Sequence, residues 1–455
     1  MFVVAVAARI DTAAAQKSET GPQPGTAADS RFAIDGPAAR PSGDWEADGA
    51  LLAGLRDRRL FAIAEAFCRN KLARKDLSSR ARSELILELS RTFAAHAIHS
   101  PPQARDELWS AASQTIDDFL RERADHPRAI ILRLQDALVA LGRGELERRE
   151  SELLPADVTL PATAQKHLRD AVGRLTVLSD EVAAALRSAG RNGSTDADAL
   201  SGDELLSAER NVRYQIAKAQ QEIAETYPAG TNDRIDALAQ ADRLLEPLAA
   251  ANSTDEVVWR ARVDRASVER KLGRAAQAIA RIEQLSSRPR PAWVDARLTI
   301  ERAMLAAGAG QFDSALELLD AKTVSAGGVD VGEVEAGELD DLRLGIVLAA
   351  WRSAHAAGDA KTAAAWQSQA STLVRRIDEQ HGAYWSRRAK LQAAATIAAG
   401  TGTNDATLLV SAAENFLHTG RADEAVRAYD RAAPAASNMG DDDLAIHLAL
   451  TAAAV

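Results

Sequence analysis

The stretch HTGRADEAVRAYDRAAPAA (His418–Ala436) decides the fold. A glycine stands between two alanine-rich amphipathic segments. Upstream of it, Leu409, Ala412, Ala413 and Phe416 recur at the 3.6-residue spacing of one buried helix face. Downstream, Ala422, Ala425, Val426, Tyr429 and Ala432 form a matching stripe. Arg421, Asp423, Glu424, Arg427, Asp430 and Arg431 fall mostly on the opposite face, toward water. The pattern predicts two helices folded back on each other around Gly420.

The spacing recurs along the chain. Gly273 is followed by Ala278, Ile282 and Leu285, and Gly310 by Ala315 and Leu319 with Phe312 between. Gly358 is followed by Ala363 and Ala370. Near the other end, Ala64 and Cys68 in RRLFAIAEAFCRNKLAR (Arg58–Arg74) repeat the second-helix spacing without a glycine. The four glycines are separated by 37, 48 and 62 residues. An acidic, glycine-rich insertion at Val324–Glu338 accounts for the second interval. An extra helix near Ala383–Ala399 and the loop GTGTND account for the third.

These residues resemble the tetratricopeptide repeat, whose signature is W-x2-L-G-x2-Y followed by A-x3-F. Leu409 stands at the tryptophan place, Ala412 and Ala413 at Leu-Gly, and Phe416 at tyrosine. Ala425 and Tyr429 stand at A-x3-F. The resemblance is to a divergent, bacterial type of the repeat. Trp351 occupies a place for a small residue, and Gln367 a place for an aromatic. The resemblance is clearest over 259–455. It implies an all-α solenoid of helix-turn-helix hairpins that binds a protein or peptide on its concave face.

Composition agrees with an all-α chain. Of 455 residues, 46% are hydrophobic and only 4% aromatic, so alanine carries much of the apolar count. Alanine has the highest helix propensity. Helical patterns cover Leu60–Ala73, Ser79–Ile98, Gln103–Ala124 and Arg128–Leu141. A turn is predicted at GRG (Gly142–Gly144), then a short helix Glu145–Leu154. Thr163–Ala189 precedes a polar loop, Gly190–Asp203, in which Ser201 and Glu204 are spaced as a capping box. Glu204–Tyr227 and Arg234–Ala250 follow. The expected organisation is a disordered leader over 1–48, a helical-hairpin region over 49–200, and the repeat region over 201–455.

The net charge of −10 disfavours a nucleic-acid partner, which needs clustered Lys and Arg. No apolar run is long enough for a transmembrane helix. The single cysteine, Cys68, excludes an internal disulfide and a cysteine-based zinc site, and its helix position reads as a small buried hydrophobe, with a reactive thiol near Arg69, Lys71 and Arg74 as the alternative. MFVVAVA at the N-terminus reads either as the remnant of an export signal or as the end of a cytoplasmic protein, so the compartment stays open. GDDDLAIHLALTAAAV (Gly440–Val455) starts a helix whose apolar face calls for cover, by further chain or by another surface.

The search for chemistry returns no catalytic, cofactor or metal constellation. Nucleotide-binding loops, zinc-protease and nucleophile-elbow motifs are missing. His96 and His99 read as a solvated helix end rather than a metal pair. Asp330, Glu333 and Glu335 lack calcium-loop spacing. The basic clusters Val374–Asp378 and Arg387–Lys390 read as solvated faces, with one edge of a peptide groove as the alternative. The tryptophans, among them Trp109, Trp259, Trp293, Trp351, Trp366 and Trp385, read as helix packing. The expectation is a non-catalytic binding scaffold. The alternative is the sensory or regulatory region of a larger signalling protein or enzyme.

Overall fold

The computed structural model describes residues 44–154, 157, 159–189, 198–325 and 336–455. Among these there are eighteen helices and no strand, so the fold is all-α as expected. The bulk of the predicted leader, the loop residues 190–197 and the insertion residues 326–335 lie outside the description. The first helix begins at Asp44, inside the stretch assigned to the leader.

The chain forms two compact units. The first takes in residues up to Arg149 together with Thr159–Val268, and the second Glu150–Val158 and Glu269–Val455. The boundary expected at 200/201 lies inside the first unit.

The first unit begins with α1 (Asp44–Asp57), α2 (Phe61–Leu72), α3 (Ser79–His99) and α4 (Pro102–Glu122). It continues with α5 (Ala129–Leu153), α6 (Thr159–Ala189), α7 (Gly202–Glu225), α8 (Asn232–Ala250) and α9 (Glu256–Lys271), with α5 and α9 running on into the second unit. Ser78 Oγ caps α3 by accepting from the Ala81 amide at 3.1 Å. The capping box is formed: Ser201 Oγ accepts from the Glu204 amide at 3.2 Å, and Glu204 Oε2 accepts from the Ser201 amide at 2.8 Å.

The turn expected at Gly142–Gly144 does not exist, because α5 runs through it. Gly144 serves a different purpose. A Cβ there would lie 2.7 Å from Leu168 Cγ on α6, so the missing side chain lets α5 and α6 close together.

The second unit holds α10 (Ala275–Ser286), α11 (Ala292–Gly308), α12 (Phe312–Ser325), α13 (Ala336–Ala356) and α14 (Ala360–Gln380). After these come α15 (Ala383–Ala398), α16 (Ala406–His418), α17 (Ala422–Asn438) and α18 (Asp442–Ala454). Besides packing on its neighbour in sequence, α13 lies against α11 and α15, and α14 against α16. Successive hairpins are therefore stacked, as in a solenoid.

The repeated turn has one geometry. Gly273, Gly310, Gly358 and Gly420 all have left-handed backbones, with φ of 75°, 79°, 72° and 73°. In the opening hairpin the Gly420 amide donates to the Leu417 carbonyl at 3.0 Å, and the Arg421 amide reaches back to Phe416 at 2.8 Å. This Schellman arrangement satisfies the last carbonyls of the helix. The alanine five residues after each glycine is buried: Ala278, Ala315, Ala363 and Ala425. A fifth copy, at Gly440, joins α17 to α18. Within the predicted stripe of α17 the register shifts slightly. Ala422 is exposed and Ala428 buried, because α17 packs on α18 as well as on α16.

A sixth copy uses no glycine. Arg59 has φ of 59°, and the Leu60 amide donates to the Leu55 carbonyl at 2.9 Å. Ala64 and Cys68 are fully buried at the places of A-x3-F. The left-handed conformation costs a residue with a Cβ about 1–2 kcal/mol. Arg59→Gly removes that strain, at some cost in unfolded-chain entropy. The expected net gain is about 0.5–1 kcal/mol, read as a higher urea midpoint for the first unit. An unchanged or lower midpoint refutes the strain.

Candidate binding groove

In the first unit, α6, α7 and α8 pack side by side. Their apolar stripes alternate three- and four-residue steps. On α6 these are Ala164, Leu168, Ala171, Leu175, Leu178 and Val182, all buried. On α8 they are Ala237 or Leu238, Ala241, Leu245 and Leu248. That spacing keeps a narrow seam facing one neighbour along the length of a helix. The middle helix is buried on two flanks, by the small residues Ala208, Ala217, Ala219 and Ala224 and the larger Leu205, Val212, Tyr214 and Ile223. Both outer helices approach it closely, and it forms the floor between them.

The result is a groove of about 260 Å³. Arg169 and Val172 of α6 form one wall; Asp233, Asp236, Ala237 and Gln240 of α8 form the other. Gln220 and Ile223 of α7, with Tyr227 just beyond it, form the floor. The floor residues face away from Lys218 and Glu222, which point to α5 on the opposite side of α7.

One end of the groove is pinned. Arg169 Nη2 donates to Tyr227 Oη at 2.8 Å, and Gln165 Nε2 donates to Thr226 Oγ1 at 2.8 Å. Arg234 Nη1 donates to the Tyr227 carbonyl at 3.1 Å, and Gly230, with φ of 81°, completes the turn into α8. The side chains of Asp233, Asp236, Gln220 and Gln240 make no ion pair or hydrogen bond among the described residues. The groove thus presents two carboxylates, two amides and one guanidinium around a small apolar patch at Ile223, Val172 and Ala237. It carries no arrangement of nucleophile and base.

The residues weighed from sequence fall elsewhere. The Phe61 ring stacks on His96 and His99, at centroid distances of 5.0 and 5.5 Å, and His96 Nδ1 lies 3.1 Å from Glu65 Oε1. The pair is packed against an aromatic. Among the described residues no three His, Cys, Asp or Glu side chains converge as a metal site. Cys68 is fully buried, and burial, with Glu88 adding, pushes its thiol up to about 12. Asp330, Glu333 and Glu335 lie outside the described residues, as does the side chain of Trp45.

Of the basic clusters, Arg388 pairs with Asp341 and Glu152, and Lys390 with Asp378 and Glu414. Arg376 donates to Asp340, which is almost fully buried and also receives Arg343 and His381. Only Arg375 and Arg387 of these stretches are exposed cations without a partner among the described residues. Trp109, Trp259, Trp351 and Trp366 are buried; Trp293 and Trp385 are half-buried. The aromatic missing at Gln367 is supplied one place earlier by Trp366.

Sequence reading did not single out the groove. Its residues come from three helices separated by tens of positions and match no motif. The only local sign was a pair of acids three apart on α8, a pattern most solvated helices share.

Fold and groove together define an all-α protein of repeated helical hairpins with a small mixed-polarity cleft. No family model matches the chain, and no curated protein matches it. Among solved structures, the apo form of the quorum sensor NprR from B. thuringiensis is similar, with a TM-score of 0.40 and 11% identity. The match covers 90% of this chain and 97% of that one. A likeness of that degree says nothing of function.

Proposed function

We propose that the chain is a non-catalytic scaffold that binds a protein or peptide segment in the α6–α8 groove. The observation that carries this reading is the groove's size with its lining. About 260 Å³ falls below the roughly 300–1,000 Å³ of sites that enclose a small molecule. It accommodates a side chain or two of a larger partner, and Gln220 and Gln240 offer amides for that partner's backbone. An apolar patch within a polar and charged rim is the usual division between affinity and orientation at such surfaces.

The test uses the full chain and a pool of random heptapeptides carrying a benzophenone photo-crosslinker. Cross-links are expected to concentrate on α6–α8. Gln240→Trp, at an exposed wall position, fills the cleft and should lower that labelling at least fivefold, with an unchanged thermal melt. Labelling spread evenly over the chain, or insensitive to the plug, rejects the reading.

A further inference from the structure

We infer that the groove selects a partner segment through a long basic side chain, arginine or lysine, set among apolar residues. This rests on the groove being the binding site and adds the chemistry it recognises.

Asp233 and Asp236 are three apart on α8 and so share a face. Both line the cleft, and neither has a cation among the described residues. Across from them the one cationic side chain of the lining, Arg169, is held by the Tyr227 hydroxyl. Several other carboxylates of this unit are matched across or between helices. Asp242 receives Arg265 at 2.8 Å, Glu225 receives Arg234 at 2.8 Å, and Glu181 receives Arg133 at 2.6 Å. The cleft departs from that pattern, with two carboxylates against one guanidinium.

A ligand ammonium or guanidinium supplies the missing countercharge. Its aliphatic stem lies along Ile223 of the floor and Ala237 of the α8 wall, beside Tyr227. An acidic segment meets repulsion from both aspartates, so the same pair also discriminates against the wrong partner. The charges are exposed, so the preference is modest and screened by salt.

The experiment repeats the photo-crosslinking with three heptapeptide pools, random except for a central arginine, glutamine or glutamate. On the native full chain the arginine pool should label α6–α8 about five- to tenfold more than the glutamate pool, the sum of two exposed pairs. Raising the salt to 1 M should shrink the ratio toward one. Asp233→Asn with Asp236→Asn should remove the preference yet keep the glutamine-pool labelling. Asp236→Asn alone, outside the first turn of α8, should halve it and guards against misfolding of the double variant.

Equal labelling by all pools, or a preference that survives the double variant, overturns the inference but leaves the groove as a binding site. Absence of groove labelling by every pool rejects both.

Discussion

Trp351→Ala lowers the stability of the second unit by about 3–5 kcal/mol, the range for deleting a large buried aromatic. Trp351 is only 1% exposed and sits on α13, in a cluster with Ala363, Trp366 and Ala370 of α14 and Ala389 and Ala393 of α15. Six of the thirteen other buried residues of the cluster are alanines, which leave room for the indole and limit how far its loss can be refilled. Alanine side chains have no rotamers with which to fill a vacated space, and the three backbones are held by their own hydrogen bonds. The cavity therefore stays open, and its volume adds to the lost transfer energy. Urea unfolding followed by far-UV circular dichroism should show a transition at much lower urea. Gln367→Ala, at the half-buried place where repeat spacing expects the aromatic, serves as control and should cost under about 1 kcal/mol. A Trp351→Ala loss no larger than that control rejects the packing.

The same residues show what the sequence could and could not reveal. Turn glycines were legible because a left-handed residue closing a Schellman motif strongly favours glycine, and the alanine five places later must fit against the partner helix. Both requirements are local. Gly142–Gly144 had the same local look and was misread, since a glycine also serves where two backbones approach. Leu168, the residue that uses the space at Gly144, lies 24 positions away. Arg59 reversed the problem: a turn without its marker, visible only through Ala64 and Cys68. Trp351 and Gln367 looked like departures from a repeat. In three dimensions they are a compensated exchange, with Trp366 one place earlier filling the aromatic role. The groove was least legible of all, because it is a juxtaposition of three helices and not a run of residues.

Buried charge gives the second large effect, and it has opposite signs at two neighbouring glutamates. Glu222 of α7 pairs with Arg148 of α5, and burial alone would raise its pKa. Arg148, Arg149 and Lys218 outweigh burial, so its carboxyl ends below the ordinary value. Glu145 of α5 is 1% exposed; Lys218 Nζ lies 2.7 Å from its Oε1, and no hydrogen-bond donor reaches its Oε2. Here burial wins, the nearby Glu222 adds to it, and the carboxyl is raised.

A lowered glutamate contributes stability above its unfolded pKa of about 4.3, lost as pH falls through the folded value. A raised one contributes below about 4.3 and loses that contribution as pH rises through its folded value. At pH 7.5, Glu222→Gln should therefore cost about 3 kcal/mol, since it removes one partner of the buried Arg148–Glu222 pair. Glu145→Gln should instead stabilise, because burial makes the carboxyl it replaces a net burden above its unfolded pKa. The Glu145 difference from the native protein should close as the pH approaches 4, whereas the Glu222 difference should persist there and fade only at lower pH. Urea midpoints at pH 7.5, 5.5 and 4 read the two trends. Equal destabilisation by both variants at pH 7.5 would mean that Lys218 fully neutralises Glu145 and that the two carboxylates are equivalent, contrary to the geometry.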